Sequence, residues 1–228
     1  EKKRKIGEND SYICELIRND SIDEFISYVN KECLPLNSQI EQSLYETNPI
    51  LLRFNFKLIE YAAFFGSVQI FKYLYKNNVD LTQSLWIYGI HSDNPELINI
   101  LEENKVINDD DYDSNNENLP INYYLINQIT FDDCLEEAIK CFHKDIVNYI
   151  ESNYIKENIN QYDNDYLMFI KNNYGSTYYC FEYYNLFHLP LNFEFNDSDF
   201  LYACKFDYYT LVKLFLMSKS FNENENII

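Results

Sequence analysis

Thiol and imidazole side chains carry most of the catalytic and metal-binding chemistry open to this 228-residue sequence, and they are few. The three histidines and six cysteines are His91, His143, His188, Cys14, Cys33, Cys134, Cys141, Cys180 and Cys204. Cys141 and His143 stand two residues apart, a spacing that points two side chains of a helix away from each other. Adding Cys134 gives no recognisable zinc-binding spacing, and no cysteine is marked as an activated nucleophile. We therefore expect no catalytic residue, cofactor or metal ion, and keep a thiol-dependent enzyme acting through Cys141 as the less favoured alternative.

The acidic segment 107–118, INDDDYDSNNEN, has part of a calcium-binding spacing. Asp109, Asp111 and Asp113 alternate as the first ligands of an EF-hand loop do. However, Ser114 stands at the sixth position, which needs glycine, and Pro120 at the twelfth, which needs glutamate. We therefore interpret this segment as a solvated acidic loop. The chain also has only four glycines, which leaves no phosphate-binding loop.

The charge and composition of the chain disfavour two classes of partner. Its 18 Lys and Arg residues stand against 37 Asp and Glu residues, a formal net charge of -19 that repels nucleic-acid phosphates and anionic lipid. Hydrophobic residues make up 46%, which is typical of a folded protein. The sequence contains no long apolar run and no secretory signal pattern. The scattered cysteines indicate reduced, buried thiols. We expect a cytoplasmic protein, with the nucleus left open.

Residues 55–82, NFKLIEYAAFFGSVQIFKYLYKNNVDLT, have the pattern of two short antiparallel helices. Ala62 and Ala63 allow a neighbouring helix to approach closely, and Gly66 supplies the backbone freedom to reverse the chain. Apolar residues then recur at helical spacing through Leu74, and Asn78 tolerates the left-handed turn that ends the second helix. Such a pair leaves one apolar edge uncovered, so it must stack on another pair.

Weaker copies of this pattern follow at shifts of 27, 76 and 141 residues. Gly89, Ala138 and Ala203 take the place of Ala62, and Asp93 and Phe142 take the place of Gly66. In the first of these copies, the pattern predicts a second helix capped by the asparagine of an Asn-Pro pair at 94–95.

A more distant copy at 11–29 aligns with the first pattern at a shift of 46 residues, without its small residues. Ser21 and Glu24 have the spacing of a capping box between its two helices. The only tryptophan, Trp86, is predicted to lie in the core.

The best copy resembles an ankyrin repeat through Tyr61, Ala62, Ala63, Gly66, Ile70, Phe71, Leu74, Asn77 and Asp80. The whole pattern is similar to the divergent ankyrin-like proteins of trichomonad-type protozoa. This resemblance implies an all-α, ankyrin-like α-solenoid of about six stacked antiparallel helix pairs. The family's Thr-Pro-Leu-His positions hold Lys57, Leu58, Ile59 and Glu60 here, and glycines are few, so we expect few or no β-hairpin fingers.

The resemblance implies one solenoid domain over residues 1–228. Its parts are an atypical N-terminal pair and connection (1–54), two clear repeats (55–106), an acidic insertion (107–130), a repeat (131–153), a degenerate repeat (160–190), a repeat (197–218) and a polar tail (219–228).

The resemblance also implies where a partner binds. In the family, the two positions between the small pair and the glycine point into a concave groove, and here they hold Phe64, Phe65, His91, Ser92, Lys140, Cys141, Lys205 and Phe206. We expect a monomeric, non-catalytic scaffold that binds an unidentified protein, and neither nucleic acid nor membrane. Two alternatives stay open: the Phe residues pack against adjacent repeats, and the chain is a spacer or capping region of a longer ankyrin-repeat protein.

Overall fold

The computed structural model describes residues 7–53, 56–107, 129–155, 176–189 and 196–225. Contacts within the chain divide it into two compact units, Glu1–Thr130 (unit 1) and Phe131–Ile228 (unit 2). The candidate calcium-loop residues between 109 and 120 lie outside the described residues. The division into one solenoid domain with seven parts stays a prediction.

Unit 1 consists of short helices. In its described residues these are α1 (Tyr12–Arg18), α2 (Ile22–Lys31), α3 (Pro49–Arg53), α4 (Leu58–Phe64), α5 (Val68–Lys76), α6 (Ser84–His91) and α7 (Pro95–Glu103). The helices α1/α2, α4/α5 and α6/α7 pack as pairs. The first helix of each pair contacts the first helix of the next, and α2 contacts α5.

Unit 2 is built in the same way. Its described helices are α8 (Phe131–Lys140), α9 (Lys144–Ile150), α10 (Ser176–Glu182), α11 (Asp197–Lys205) and α12 (Tyr209–Glu225). A π-helical turn, Glu151–Ile155, follows α9, and a 3-10 turn, Leu186–His188, follows α10. The contacts α8 to α10 and α10 to α11 again join first helices, while α8/α9 and α11/α12 are pairs. Because α12 runs through Glu225, helix extends into the segment predicted as a polar tail.

The described residues confirm the all-α class. Their only extended pairing is an isolated antiparallel bridge between Gln39 and Lys57. The helices form where apolar residues recur at helical spacing: Ala62, Ala63 and Trp86 are at most 1% exposed, as the pattern predicts. Gly89 lies in α6 where a Cβ would come 3.6 Å from Leu101 Cδ1, an ordinary van der Waals contact, so a Cβ would fit against α7.

The turn between the two helices of a pair has the same backbone conformation six times in the described residues. In each turn one residue has a positive φ, between 49° and 69°, and its N–H donates to the carbonyl three residues earlier. These left-handed residues are Asp20, Gly66, Asp93, Phe142, Tyr184 and Asp207. The next residue donates its N–H to the carbonyl five residues earlier, as Ser67 does to Ala62 at 2.8 Å. These two bonds define a Schellman turn, which satisfies carbonyls at the end of the first helix.

The residue after the left-handed position also ties its pair to the preceding pair. In four turns its side chain donates to a backbone carbonyl of the preceding first helix or its turn. We call these bonds turn ties: Ser67 Oγ to Ile17 O at 2.5 Å, Asn94 Nδ2 to Gly66 O at 3.4 Å, Asn185 Nδ2 to Ile139 O at 2.8 Å, and Tyr208 Oη to Phe181 O at 3.0 Å. Main-chain carbonyl oxygens that are buried or part-buried thereby gain a hydrogen-bond partner.

A second link between the first two pairs comes from Asp20. Its carboxylate accepts the N–H groups of Gln69 and Ile70, each at 3.0 Å. These groups lie in the first turn of α5, where N–H groups have no partner within the helix and the helix dipole favours an anion. Ser67, the residue in the N-cap position of α5, makes no cap bond because its hydroxyl is used in the turn tie.

Helix capping follows the sequence in one predicted place and departs from it in another. Asn94 caps α7 by accepting from Glu96 N and Leu97 N, with Pro95 at the first helical position, as predicted. The capping box predicted for Ser21 and Glu24 is wrong, because the Ser21 side chain makes no cap bond with α2.

Candidate protein-interaction site

The four unit 1 residues of the predicted site come together where α4 and α6 end. The Phe64 ring stacks on the His91 ring, with centroids 4.2 Å apart and planes at 20°. Ser92 lies beside the turn of the preceding pair, since a Cβ built on Gly66 would be 3.4 Å from Ser92 Cβ. The contact between α4 and α6 therefore positions these four residues.

Exposure separates the two phenylalanines. Phe64 is only 5% exposed, so it supports the His91 ring and offers little surface to a partner, whereas Phe65 is half-buried. The Phe65 ring lies 4.6 Å from the Tyr61 ring and 6.0 Å from the Arg18 guanidinium. In turn, Arg18 donates to Tyr61 Oη at 2.8 Å. Phe65 is thus held between an aromatic ring and a cation, with one part open to solvent.

The predicted residues of unit 2 lie at the ends of two helices that α10 separates. Lys140 is the last residue of α8 and Cys141 follows it, and Lys205 is the last residue of α11 and Phe206 follows it. Lys140 Nζ lies 6.0 Å from the centre of the Tyr183 ring, and Lys205 Nζ lies 4.8 Å from the Tyr178 ring and 5.0 Å from the Phe206 ring. Tyr183, directly after α10, thus contacts Lys140, and Tyr178 in α10 contacts Lys205.

Two residues of this arrangement, Arg18 and Tyr183, are missed by the sequence analysis. At the shift of 46 residues, Arg18 aligns with Phe64, so the signal was present in the distant copy. Tyr183 aligns with Phe65 only when Tyr184 is matched to Gly66, which no residue preference suggests. Burial, then a 2.5 Å hydrogen bond to Glu136, raises the pKa of Tyr183, so the phenol is neutral at physiological pH and donates to that carboxylate.

Two thiols of unit 2, Cys141 and Cys180, are poor nucleophiles at neutral pH. Burial and the Glu137 carboxylate, which accepts from Cys141 Sγ at 3.3 Å, raise the pKa of Cys141 to about 12. Burial likewise raises the pKa of Cys180 to about 12. Since the thiolate is the reactive form, neither side chain is prepared for attack.

The expectation that all six cysteines are buried is wrong for two of them. Cys33 and Cys204 are exposed, although all six thiols are free as predicted. Cys33 lies in the left-handed position that ends α2, and Cys204 lies on a face of α11 that no described helix covers.

Comparison of the chain with family models, curated proteins and solved structures returns no match. None of the helices in the described part of the chain combines the length and apolar character needed to cross a bilayer.

Proposed function

We propose that this chain is a non-catalytic scaffold that binds a protein partner through the C-terminal ends of its first helices. In this proposal the pairs form an ankyrin-like solenoid of about six helix pairs, in a cytoplasmic and monomeric protein. The binding residues are those predicted above, with Phe64 in a supporting role and Arg18 and Tyr183 added. Each unit contributes its own set of aromatic and cationic side chains.

One observation carries the proposal: at equivalent turns, partly exposed aromatic rings lie next to cations. Phe65 has Arg18 beside it, Tyr183 has Lys140, and Phe206 has Lys205. Partly exposed aromatic and arginine side chains dominate the binding energy of protein interfaces, and a cation held over a ring is already ordered before a partner arrives. The sequence offers few cations, so placing three of them at the same helix ends of a chain with net charge -19 favours a binding role.

The test is affinity capture from a lysate of the source cell with four forms of the full chain. These are the native sequence, Phe65→Ala, Lys205→Ala and a control, Leu44→Ala, whose fully exposed side chain is not among the proposed binding residues. We expect the first two variants to lose a protein that the native chain and the control retain. Circular dichroism must show the same helix content in all four.

Equal recovery of the same proteins by all four forms would refute the proposed surface. Turnover of a substrate that Cys141→Ser abolishes would instead support the thiol enzyme.

A further inference from the structure

The contacts between the second and third helix pairs show which positions of a pair face the pair that follows. Three side-chain contacts join α4/α5 to α6/α7: Ser84 Oγ donates to Glu60 Oε1 at 3.0 Å, Lys72 Nζ forms an ion pair with Glu96, and Tyr75 Oη donates to Asn104 Oδ1 at 2.6 Å. Ala63, on the same side of α4, is fully buried. Positions 60, 63, 72 and 75 therefore face the next pair.

The same positions are exposed in the last pair, α11/α12. At the shift of 141 residues they hold Leu201, Cys204, Lys213 and Leu216, which we call the open face. Leu201 is 65% exposed and Leu216 is 55% exposed, and Cys204 and Lys213 are exposed as well. At the Cys204 position each of the other described pairs has a fully buried residue: Ile17, Ala63, Ile90, Ile139 or Phe181. The open face is apolar with one cation.

Two hydrogen-bond acceptors lie at the edge of the open face. Their equivalents in α1/α2 accept hydrogen bonds from the pair that follows. The carbonyl of Cys204 corresponds to that of Ile17, which accepts the turn tie from Ser67. Asp207, with φ 59°, corresponds to Asp20, whose carboxylate caps α5. In the described part of the chain, no side chain donates to the Cys204 carbonyl and no donor reaches the Asp207 carboxylate.

We infer that the open face binds a helix pair of another polypeptide, built with the same turn. Its chemistry follows from the positions it must match. The side of this pair that contacts α11/α12, which we call its front, is apolar. The pair has a hydroxyl or amide side chain directly after a left-handed turn residue. It also has a carboxylate in the first turn of its second helix to pair with Lys213, as Glu96 pairs with Lys72. This surface differs from the helix ends proposed above, so either inference can fail without the other.

The helix α12 runs past the point at which the second helices of earlier pairs end, so the short connection between earlier pairs is not repeated at α12. Whereas α5 and α7 each have 9 residues, α12 has 17 and continues eight residues past Met217, the position equivalent to the end of α5. At 1.5 Å per residue this carries the chain about 12 Å beyond the place where it turns back in the earlier pairs.

The first pair of a second copy has two of these features, since Ser21 follows the left-handed residue Asp20 and Asp23 stands at the position of Glu96, but its other residues suit the open face less well. This pair would have to present its front, where Leu16 replaces the small Ala62 and Glu15 and Glu24 are exposed. Those carboxylates would meet Asp207 and the apolar residues of the open face, with the self-repulsion of a chain of net charge -19.

The experiment uses the full chain with a probe helix pair tethered to its C-terminus by a flexible Gly/Ser linker. The probe is a second copy of residues 83–106, which covers the equivalent face of α4/α5, and the control carries the same residues in scrambled order. A tether provides a millimolar effective concentration, so a probe that binds with a Kd of about 0.1 mM is docked about 90% of the time and slows Cys204 labelling about tenfold. Cys33, exposed in unit 1, serves as the internal reference.

A charge exchange tests whether the docking is the one described. Lys213→Glu in the host should restore fast labelling of Cys204, and Glu96→Lys in the probe should slow it again. Equal labelling rates with the ordered and the scrambled probe would overturn the inference. The inference would also be overturned if the charge exchange left the labelling rate of Cys204 unchanged, or if untethered chains protected Cys204 by self-association at rising concentration.

Discussion

The strongest prediction concerns Asp20, which caps a helix of the following pair across about 50 residues of sequence. In Asp20→Ala the first-turn N–H groups of Gln69 and Ile70 lose their acceptor, at about 1 kcal/mol for a lost cap. Alanine must also adopt the left-handed conformation that Asp tolerates better, at roughly 1 kcal/mol more. The free energy of unfolding of unit 1 should therefore fall by about 2 kcal/mol.

Two further substitutions at Asp20 separate these contributions. Asn retains an acceptor oxygen and tolerates the left-handed conformation, so Asp20→Asn should cost less than about 0.5 kcal/mol. Gly removes the cap but accepts positive φ freely, so Asp20→Gly should be about 1 kcal/mol less destabilising than Asp20→Ala. We therefore expect Asp20→Asn to be the most stable of the three variants, Asp20→Gly the next and Asp20→Ala the least stable.

Urea unfolding followed by the fluorescence of Trp86, the only tryptophan and a core residue of unit 1, gives the global effect. Amide hydrogen exchange gives the local effect: protection of the Gln69 and Ile70 N–H groups should fall about 30-fold in Asp20→Ala, at 1.4 kcal/mol per tenfold. If Asp20→Ala and Asp20→Asn exchange these amides at the same rate, the cap contributes nothing and the reasoning is refuted.

Three other outcomes are expected in unit 2 and among the thiols. Phe142→Gly should stabilise unit 2 by about 1 kcal/mol in urea unfolding, because the 53% exposed phenylalanine holds a φ of 65° that glycine adopts without strain; a loss of stability would contradict this. Asn185→Ala should destabilise unit 2 by about 1–2 kcal/mol, because the buried turn tie to a backbone carbonyl is lost; an unchanged urea midpoint would show that the tie is not stabilising. Maleimide should label Cys33 and Cys204 in the native chain and Cys134 only after unfolding, since burial excludes reagent and raises the pKa of the Cys134 thiol; labelling of Cys134 at the rate of Cys33 would contradict its burial.

Local patterns predicted the helices and their turns because the responsible interactions span only a few residues. Gly66 ends its helix by a bond to the carbonyl of Ala63, and Asn94 caps α7 at the N–H groups of Glu96 and Leu97, all within one helical turn. Even Phe142, an unusual residue for positive φ, occupies the turn position that the shift of 76 residues assigns to it. The helix pairs therefore followed from periodicity, and the all-α class was what the resemblance implied.

Interactions between pairs could not be predicted in this way. The capping box expected at Ser21 failed because a favourable spacing does not decide whether a side chain makes the bond. The cap from Asp20 joins residues about 50 positions apart, and no local pattern connects them. Similarly, the sequence left open whether Phe64 is exposed or packs against an adjacent pair, because the contact that covers it comes from the His91 ring of the next pair.

The turn ties place few demands on the identity of the amino acids they join. Their acceptor is always a main-chain oxygen, which any substitution leaves in place, and their donors are Ser, Asn and Tyr, which differ in length and chemistry. Mutation can therefore exchange one donor for another while the helices stay joined. A lineage using such bonds can drift far in sequence and keep its architecture, which a hydrogen bond between two specific side chains would not permit.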